Sequence, residues 1–228
     1  MTTTRIVVFA KSPVAGFAKT RLIPALGAEM AARLARRMLL QTLQEASAAA
    51  VGPVELCVTP HPSDPAWHGL PALEGICWTE QAVGDLGVRM ADAARRAAAA
   101  SEHVLLIGTD CPQLDAVRLR RAAELLRESD AVLYPTFDGG YVLLGMRRFD
   151  PRPFERIPWS TAEVADRTIE RVRKLGWSLA VGAMLHDIDE PTDLRWLPDD
   201  WHFVRSRSSP KSATVGSDDG VSDSPRRA

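Results

Sequence analysis

Four lysines, three cysteines and two tyrosines are all that a chain of 228 residues carries, and its net charge at pH 7 is only −1. So small a charge gives no global field with which to gather nucleic acid or an anionic membrane surface. Any affinity for phosphate must come from a local cluster. Cys57, Cys77 and Cys111 are odd in number and widely spaced, which suits neither a disulfide framework nor a zinc site. They read as small buried residues near strands. No apolar run approaches the roughly 20 residues of a membrane helix. Residues Met1 to Arg5 lead straight into an apolar segment of strand length, without a signal peptide's apolar core or small-residue cleavage site. The expectation is a cytoplasmic protein with neither a membrane nor a nucleic-acid partner.

What is present suits one α/β domain with a full core: 46% of residues are hydrophobic and 25% charged. Residues 204–228 hold Ser, Pro, Gly and charge, with no aromatic residue and no periodicity. They cannot bury enough apolar surface to offset their ordering entropy, so a disordered tail is expected after a domain over residues 1–203. Within that domain strand and helix signals alternate. Arg5-Ile6-Val7-Val8-Phe9-Ala10 is a continuous apolar run, as in a strand buried on both faces. From Ala28 to about Ala49, the residues Met30, Leu34, Met38 and Leu39 recur at helical spacing. Further strands are predicted over 54–58, 75–78, 103–108, 131–134 and 141–145, and helices over 86–100, 115–127, 162–175 and 191–197. Strands separated by helices imply a mainly parallel sheet covered on both faces. Ligands of such sheets lie beyond the carboxyl ends of the strands.

The loop after the first strand, Lys11-Ser12-Pro13-Val14-Ala15-Gly16-Phe17-Ala18-Lys19-Thr20-Arg21-Leu22, brings three cations to such an end. Two of the four lysines are here. A polyphosphate in this loop would meet backbone N–H groups, two ammonium groups and a guanidinium. The bland alternative is a solvated surface loop. The loop lacks the Gly-Lys-Ser/Thr of a Walker motif, and it is not Gly-x-Gly-x-x-Gly.

Carboxylates follow at two later places. Gly108-Thr109-Asp110-Cys111-Pro112 closes the fourth strand and sets Asp110 where Mg²⁺ or Mn²⁺ bridging phosphates needs a hard oxygen. Asp is also a common helix cap, but Asp115 stands nearer the next helix for that role. His186-Asp187-Ile188-Asp189-Glu190-Pro191 is the second place. Asp187 and Asp189 point to one side if the segment is extended, as a metal pair would, while Pro191 allows Asp189 or Glu190 to be a helix-start partner only. Between these lies Asp138-Gly139-Gly140-Tyr141, which reads both as a hairpin turn and as a loop where backbone approaches a ligand.

Several segments in order carry a resemblance: Phe9 to Pro13, Gly16 to Leu22, Gly84-Asp85-Leu86-Gly87-Val88-Arg89-Met90, Gly108 to Pro112, Asp138 to Gly145, Trp159-Ser160-Thr161 and Asp187-Ile188-Asp189. They resemble a bacterial family of GT-A-fold glycosyltransferases associated with arsenosugar or radical-SAM/selenoprotein loci, over residues 5 to about 200. More distantly, Lys19 to Leu22 is similar to the nucleotide loop of phospholactate and molybdenum-cofactor guanylyltransferases. The resemblance implies a GT-A-like three-layer α/β sandwich (the nucleotide-diphospho-sugar transferase fold) with a mainly parallel central sheet. It implies that Lys11, Gly16, Lys19, Thr20 and Arg21 hold the phosphates, that Gly84, Asp85 and Gly87 lie near base and ribose, and that Asp110 carries Mg²⁺ or Mn²⁺. Asp187 and Asp189 would form a second metal or phosphate position. Asp138 would be a base or acceptor-orienting group, with Gly139, Gly140, Tyr141 and Trp159 around the acceptor, although Trp159 reads equally as a core or lid aromatic. One departure stands out: glycosyltransferases of this fold often carry Asp-x-Asp where this chain has Thr109-Asp110-Cys111. The expected activity is metal-dependent transfer from an activated donor to a small-molecule acceptor. A nucleotide sugar with glycosyl transfer leads, ahead of a nucleoside triphosphate with nucleotidyl transfer and of a non-catalytic nucleotide-binding module.

Overall fold

The computed structural model describes residues 2–71, 74–100 and 102–201; the tail expected over 204–228 lies outside the described residues. The apolar first segment forms β1 (Thr4–Lys11). A 3-10 turn (Thr20–Leu22) and a four-residue α1 (Ile23–Leu26) then lead into the long α2 (Ala28–Ala49). The chain continues as β2 (Val54–Thr59), β3 (Ile76–Glu80), α3 (Leu86–Ala99), β4 (His103–Ile107) and α4 (Ala116–Glu128). After β5 (Ala131–Pro135) and β6 (Tyr141–Met146) come α5 (Val164–Lys174), β7 (Leu179–Val181) and a 3-10 turn at Pro191–Trp196. The segment expected as a helix over 191–197 is therefore the tighter 3-10 form. β7 was not expected, because three residues are too few to show a period.

The seven strands make one sheet in the order β3-β2-β1-β4-β6-β5-β7. β6 runs antiparallel to both β4 and β5, and the remaining pairs are parallel. The exception has a local cause. Five residues, 136–140, join β5 to β6, and so short a connection can only reverse the chain, whereas a parallel pair needs a crossover. Both readings of Asp138 to Tyr141 thus include the hairpin.

Side chains alternate across the sheet into two cores. Ile6, Val8, Leu105, Ile107 and Val132 face α2 and α4, meeting Leu39, Leu43, Leu119 and Leu126. Val7, Val104, Leu106, Leu133 and Leu144 face α3 and α5, meeting Met90, Ala93, Ala97 and Val172. This gives the expected three layers, with each fully buried Leu, Ile or Val contributing about 1.5–3 kcal/mol. A third cluster lies outside them, where Leu22 and Leu26 pack with Leu34 and Met38 of α2 and with Ile188, Leu194 and Trp201. That cluster binds the first loop to a segment more than 160 residues later. Cys57 and Cys111 are buried as expected, and burial pushes the Cys111 thiol up to about 11. Cys77 is exposed instead, because β3 is an edge strand. Among the described residues no helix is long and apolar enough to cross a membrane.

Candidate active site

The carboxyl ends of β1 and β4 lie side by side, because the two strands are adjacent and parallel. β6, running the other way, brings its first residue, Tyr141, to the same edge. Over this edge opens a cavity of about 500 Å³, within the usual range for small-molecule sites. Lys11, Lys19, Thr20, Arg21, Asp110, Tyr141 and Asp189 all line it, so the first loop, the end of the fourth strand and the distant acidic segment meet there.

Lys19 is the centre of this meeting. Its side chain is only 7% exposed, and its Nζ lies 2.7 Å from Asp110 Oδ1 and 3.5 Å from Asp189 Oδ1. The same ammonium donates to the Ile188 carbonyl at 2.6 Å. Arg21 Nη1 lies 2.5 Å from Asp189 Oδ2, and the Ile188 N–H donates to the Asp110 carbonyl at 2.8 Å. The backbone of Lys19 is left-handed, at φ 48° and ψ 47°, a conformation that costs a non-glycine residue about 1 kcal/mol or more. Three polar contacts and the third apolar cluster hold it there. The outcome is a buried cation whose partner carboxylates stay open to the cavity, with Asp110 52% and Asp189 39% exposed.

The acidic side continues away from Lys19. Asp187 is half-buried, and its carboxyl is pushed up to about 6, first by burial and then by the charges of Asp138, Asp193 and Asp189. Ile188, between the two aspartates, is fully buried in the third cluster. Asp138 is exposed and accepts from Thr136 Oγ1 at 2.5 Å and from the Gly140 N–H at 2.9 Å. Its carboxylate therefore braces the hairpin. Gly139 has φ 88° and presses against the backbone of Ala162, so a side chain there would have to displace that backbone. Gly139, Gly140 and Asp138 do not line the cavity, nor does Asp187. Tyr141 lines it with its hydroxyl raised above the usual tyrosine value by burial, and the hydroxyl meets Met90 Sδ at 3.9 Å.

On the far side of β1 the implied base-and-ribose residues divide. Asp85 caps α3, accepting the Val88 N–H at 2.9 Å. Gly87 is buried where a Cβ would stand 2.7 Å from the Phe154 carbonyl and 3.0 Å from the Trp159 ring, so Trp159 packs on α3 rather than on the cavity. Gly84, Asp85, Gly87 and Gly16 are absent from the cavity wall. What lines it instead is Gln81, Leu86, Arg89 and Met90, with Phe9 and Phe17. Arg89 lay inside the Gly84 to Met90 segment and could have been picked as its one cation. Gln81 gave no signal beyond following a strand.

Asp110 and Asp189 present hard oxygen donors to a cavity that also holds cations. Among the described residues no three His, Cys, Asp or Glu side chains gather as a metal set. Mg²⁺ needs no such set, since it commonly takes one or two carboxylates and completes its shell with water and substrate phosphate. The carboxylates present fit a divalent ion of that kind.

Comparison with known proteins agrees with this architecture. Residues 42–161 match the family described as "Uncharacterized protein conserved in bacteria (DUF2064)". A protein of Desulfovibrio desulfuricans G20, provisionally named a nucleotide-diphospho-sugar transferase, is 31% identical, with 88% of each chain covered and a TM-score of 0.79. Rv0371c of Mycobacterium tuberculosis H37Rv (20% identity, 86% of this chain and 96% of that one, TM-score 0.52) shares the fold. So does 4-diphosphocytidyl-2C-methyl-D-erythritol synthase of Anaerococcus prevotii DSM 20548 (11% identity, 86% and 96%, TM-score 0.53). No curated protein matches the sequence. The two more distant structures share only the fold with this chain.

Proposed function

Because this chain belongs to the DUF2064 family of bacterial proteins, and because its cavity joins the three cations of the first loop to open carboxylates, we propose that it transfers a group from an activated nucleotide donor to a small-molecule acceptor. The observation that carries this reading is Lys19, buried beneath the cavity between Asp110 and Asp189. A carboxylate-saturated lysine is a poor phosphate site by itself. Here, however, the carboxylates are exposed on their other sides, so Lys19 and Arg21 can exchange anionic partners for the donor's phosphates. Lys11, exposed at the end of β1, adds the third cation. Charge growing on the leaving phosphate is then met by groups already in position. Asp110, with Asp189 or Asp187, would hold Mg²⁺ or Mn²⁺, which supplies neutralising charge to the diphosphate when bound. Asp138 and the hairpin that it braces stand beside the acidic segment, where we place the acceptor.

Glycosyl transfer from a nucleotide sugar is the reading we favour, supported by the resemblance to glycosyltransferases and by the name of the 31% identical relative. Nucleotidyl transfer from a triphosphate is the second reading, favoured by the single Asp110 and by three cations in one loop. A thermal-shift panel of nucleotides and nucleotide sugars, with and without Mg²⁺ or Mn²⁺, tests the common core. A true donor at a hundredfold excess over Kd stabilises by about 2.7 kcal/mol, or roughly 5–10 °C for a domain of this size. Turnover separates the readings, since glycosyl transfer releases a nucleoside diphosphate and nucleotidyl transfer releases pyrophosphate. Metal-independent binding without turnover of any donor would leave only a binding module.

A further inference from the structure

The cavity has two chemically different ends, divided by β1. Asp110 follows β4 on one side of β1, and with Lys19, Arg21 and Asp189 it makes the charged end. On the other side lies β2, and the residues there are built for a different partner. Gln81, just after β3, donates both protons of its amide to backbone carbonyls, at 3.1 Å to Ala10 at the end of β1 and at 3.0 Å to Cys57 in β2. Its carbonyl oxygen must then face away from those strands, and it accepts from Arg89 Nη1 at 3.1 Å. Arg89 Nε donates in turn to the Gly84 carbonyl at 2.9 Å. Two of the three guanidinium nitrogens are tied by these bonds, so the plane is fixed on the cavity wall. A guanidinium has five N–H groups and no acceptor. Two are used here, and the remainder can only donate. Leu86, three residues before Arg89 in α3, is 45% exposed and Phe17 of the first loop is 78% exposed, and both line the same cavity. The charged end suits phosphate. This end offers an apolar clamp and a fixed fork of donors, which suits a flat ring with acceptors on its edge.

We infer that this end reads the nucleobase, with Phe17 stacking on it and Arg89, aligned by Gln81, donating to its edge, and that it selects guanine over adenine. Guanine presents O6 and N7 side by side, the pair that a guanidinium meets bidentately, whereas adenine places an amino donor at the position of O6. Uracil lacks such a pair, since its O2 and O4 flank an N3–H donor; cytosine carries one in O2 and N3, but on a single ring that offers Phe17 less surface to stack on than a purine does. The inference rests on the nucleotide reading above and goes beyond it by assigning the base. Gln81 is a positioning residue, because its amide is spent on the protein and it touches the base only through Arg89.

The test is calorimetric titration of GDP, ADP, UDP, CDP and inorganic pyrophosphate into the whole protein with Mg²⁺ present. GDP is expected to bind at least tenfold more tightly than ADP. Arg89→Gln should weaken GDP by ten- to a hundredfold while leaving ADP unchanged or tighter, since an amide pairs with adenine's N6 and N7. Gln81→Leu should lower the GDP-to-ADP ratio with Arg89 still in place. Phe17→Ala, in an exposed loop, should weaken all four nucleotides alike and leave pyrophosphate unaffected. Equal binding of the four nucleotides by the parent would overturn the inference while the donor reading stood, as would tighter binding of UDP or CDP than of GDP. Loss of GDP and ADP by the same factor in Arg89→Gln, or loss of pyrophosphate in Phe17→Ala, would also overturn it. Failure of every nucleotide to bind the parent would bring down the donor reading and this inference together.

Discussion

At the amino-terminal end of the parallel strands an anion is buried and its cations lie around it, while at the carboxyl end the cation is buried and its anions face a cavity. Glu55 of β2 has a side chain only 4% exposed. It meets Arg96 of α3 at 2.6 Å, Arg5 of β1 at 3.3 Å and the Thr79 hydroxyl at 2.7 Å. Both carboxylate oxygens are satisfied by protein, and the cluster ties β1, β2, β3 and α3 together. Lys19 is buried almost as deeply, yet its carboxylates are open. Buried charges are tolerated only when paired and hydrogen-bonded, and both clusters obey that rule. They differ in which side is left free. A closed cluster serves the framework, and an open one can change partners.

The comparison breaks most sharply at Glu55. Glu55→Ala removes the buried anion that Arg96 and Arg5 share, leaving Arg96 with Asp92 and Arg5 with Glu102, and should destabilise by about 3 kcal/mol. For a domain of this size the melting temperature should fall by roughly 6–12 °C. Nucleotide affinity measured well below that temperature should be unchanged, and a matching loss of affinity would show that the two ends are coupled. Lys19→Met should behave in the opposite way. Nucleotide binding should weaken by about 1.5–3 kcal/mol in calorimetric titration, with a much smaller change in melting temperature than Glu55→Ala produces. Equal thermal losses in the two variants would make Lys19 another framework group. Arg21 is 62% exposed, so its attraction for phosphate is screened by salt. Arg21→Ala should therefore cost less affinity than Lys19→Met, and the deficit should shrink between 50 and about 300 mM salt; a salt-independent deficit would contradict this.

The smallest effect concerns pH at the framework end. The His103 imidazole is held below the ordinary histidine value, by burial first and then by Arg147 and Arg127. The fold therefore favours its neutral form. The associated stability is fully present above the unfolded-state pKa and is lost as pH falls through the folded-state value. His103→Gln should melt with a shallower dependence on pH between 7.5 and about 5, and an unchanged slope would remove His103 from the account.

The residues that proved legible share a property with those that did not. Lys19, Arg21 and Asp110 were visible because their sequence neighbours mark the ends of apolar strands, and strand ends are where such sheets bind ligands. Asp85 and Asp138 looked alike on the page, yet their carboxylates accept backbone N–H groups within three residues. Local capping and ligand contact draw on the same residue types, so spacing alone did not separate them. Gln81 was silent, since its importance lies in two carbonyls on neighbouring strands and one arginine eight residues on.

By itself the sequence determined the order and kind of nearly all the elements, because helix and strand periods are written within ten or twenty residues. It also marked the first loop as a cluster of cations, holding two of only four lysines. Only the tertiary structure decided that β6 enters between β4 and β5, that Lys19 is buried against Asp110 and Asp189, and that Arg89 rather than Asp85 faces the cavity. The physical reason is the same in each case. Strand order, and the packing of Leu22 and Leu26 against Ile188 and Leu194, are fixed by burying apolar surface between segments far apart in the chain, and no local window of residues contains that information.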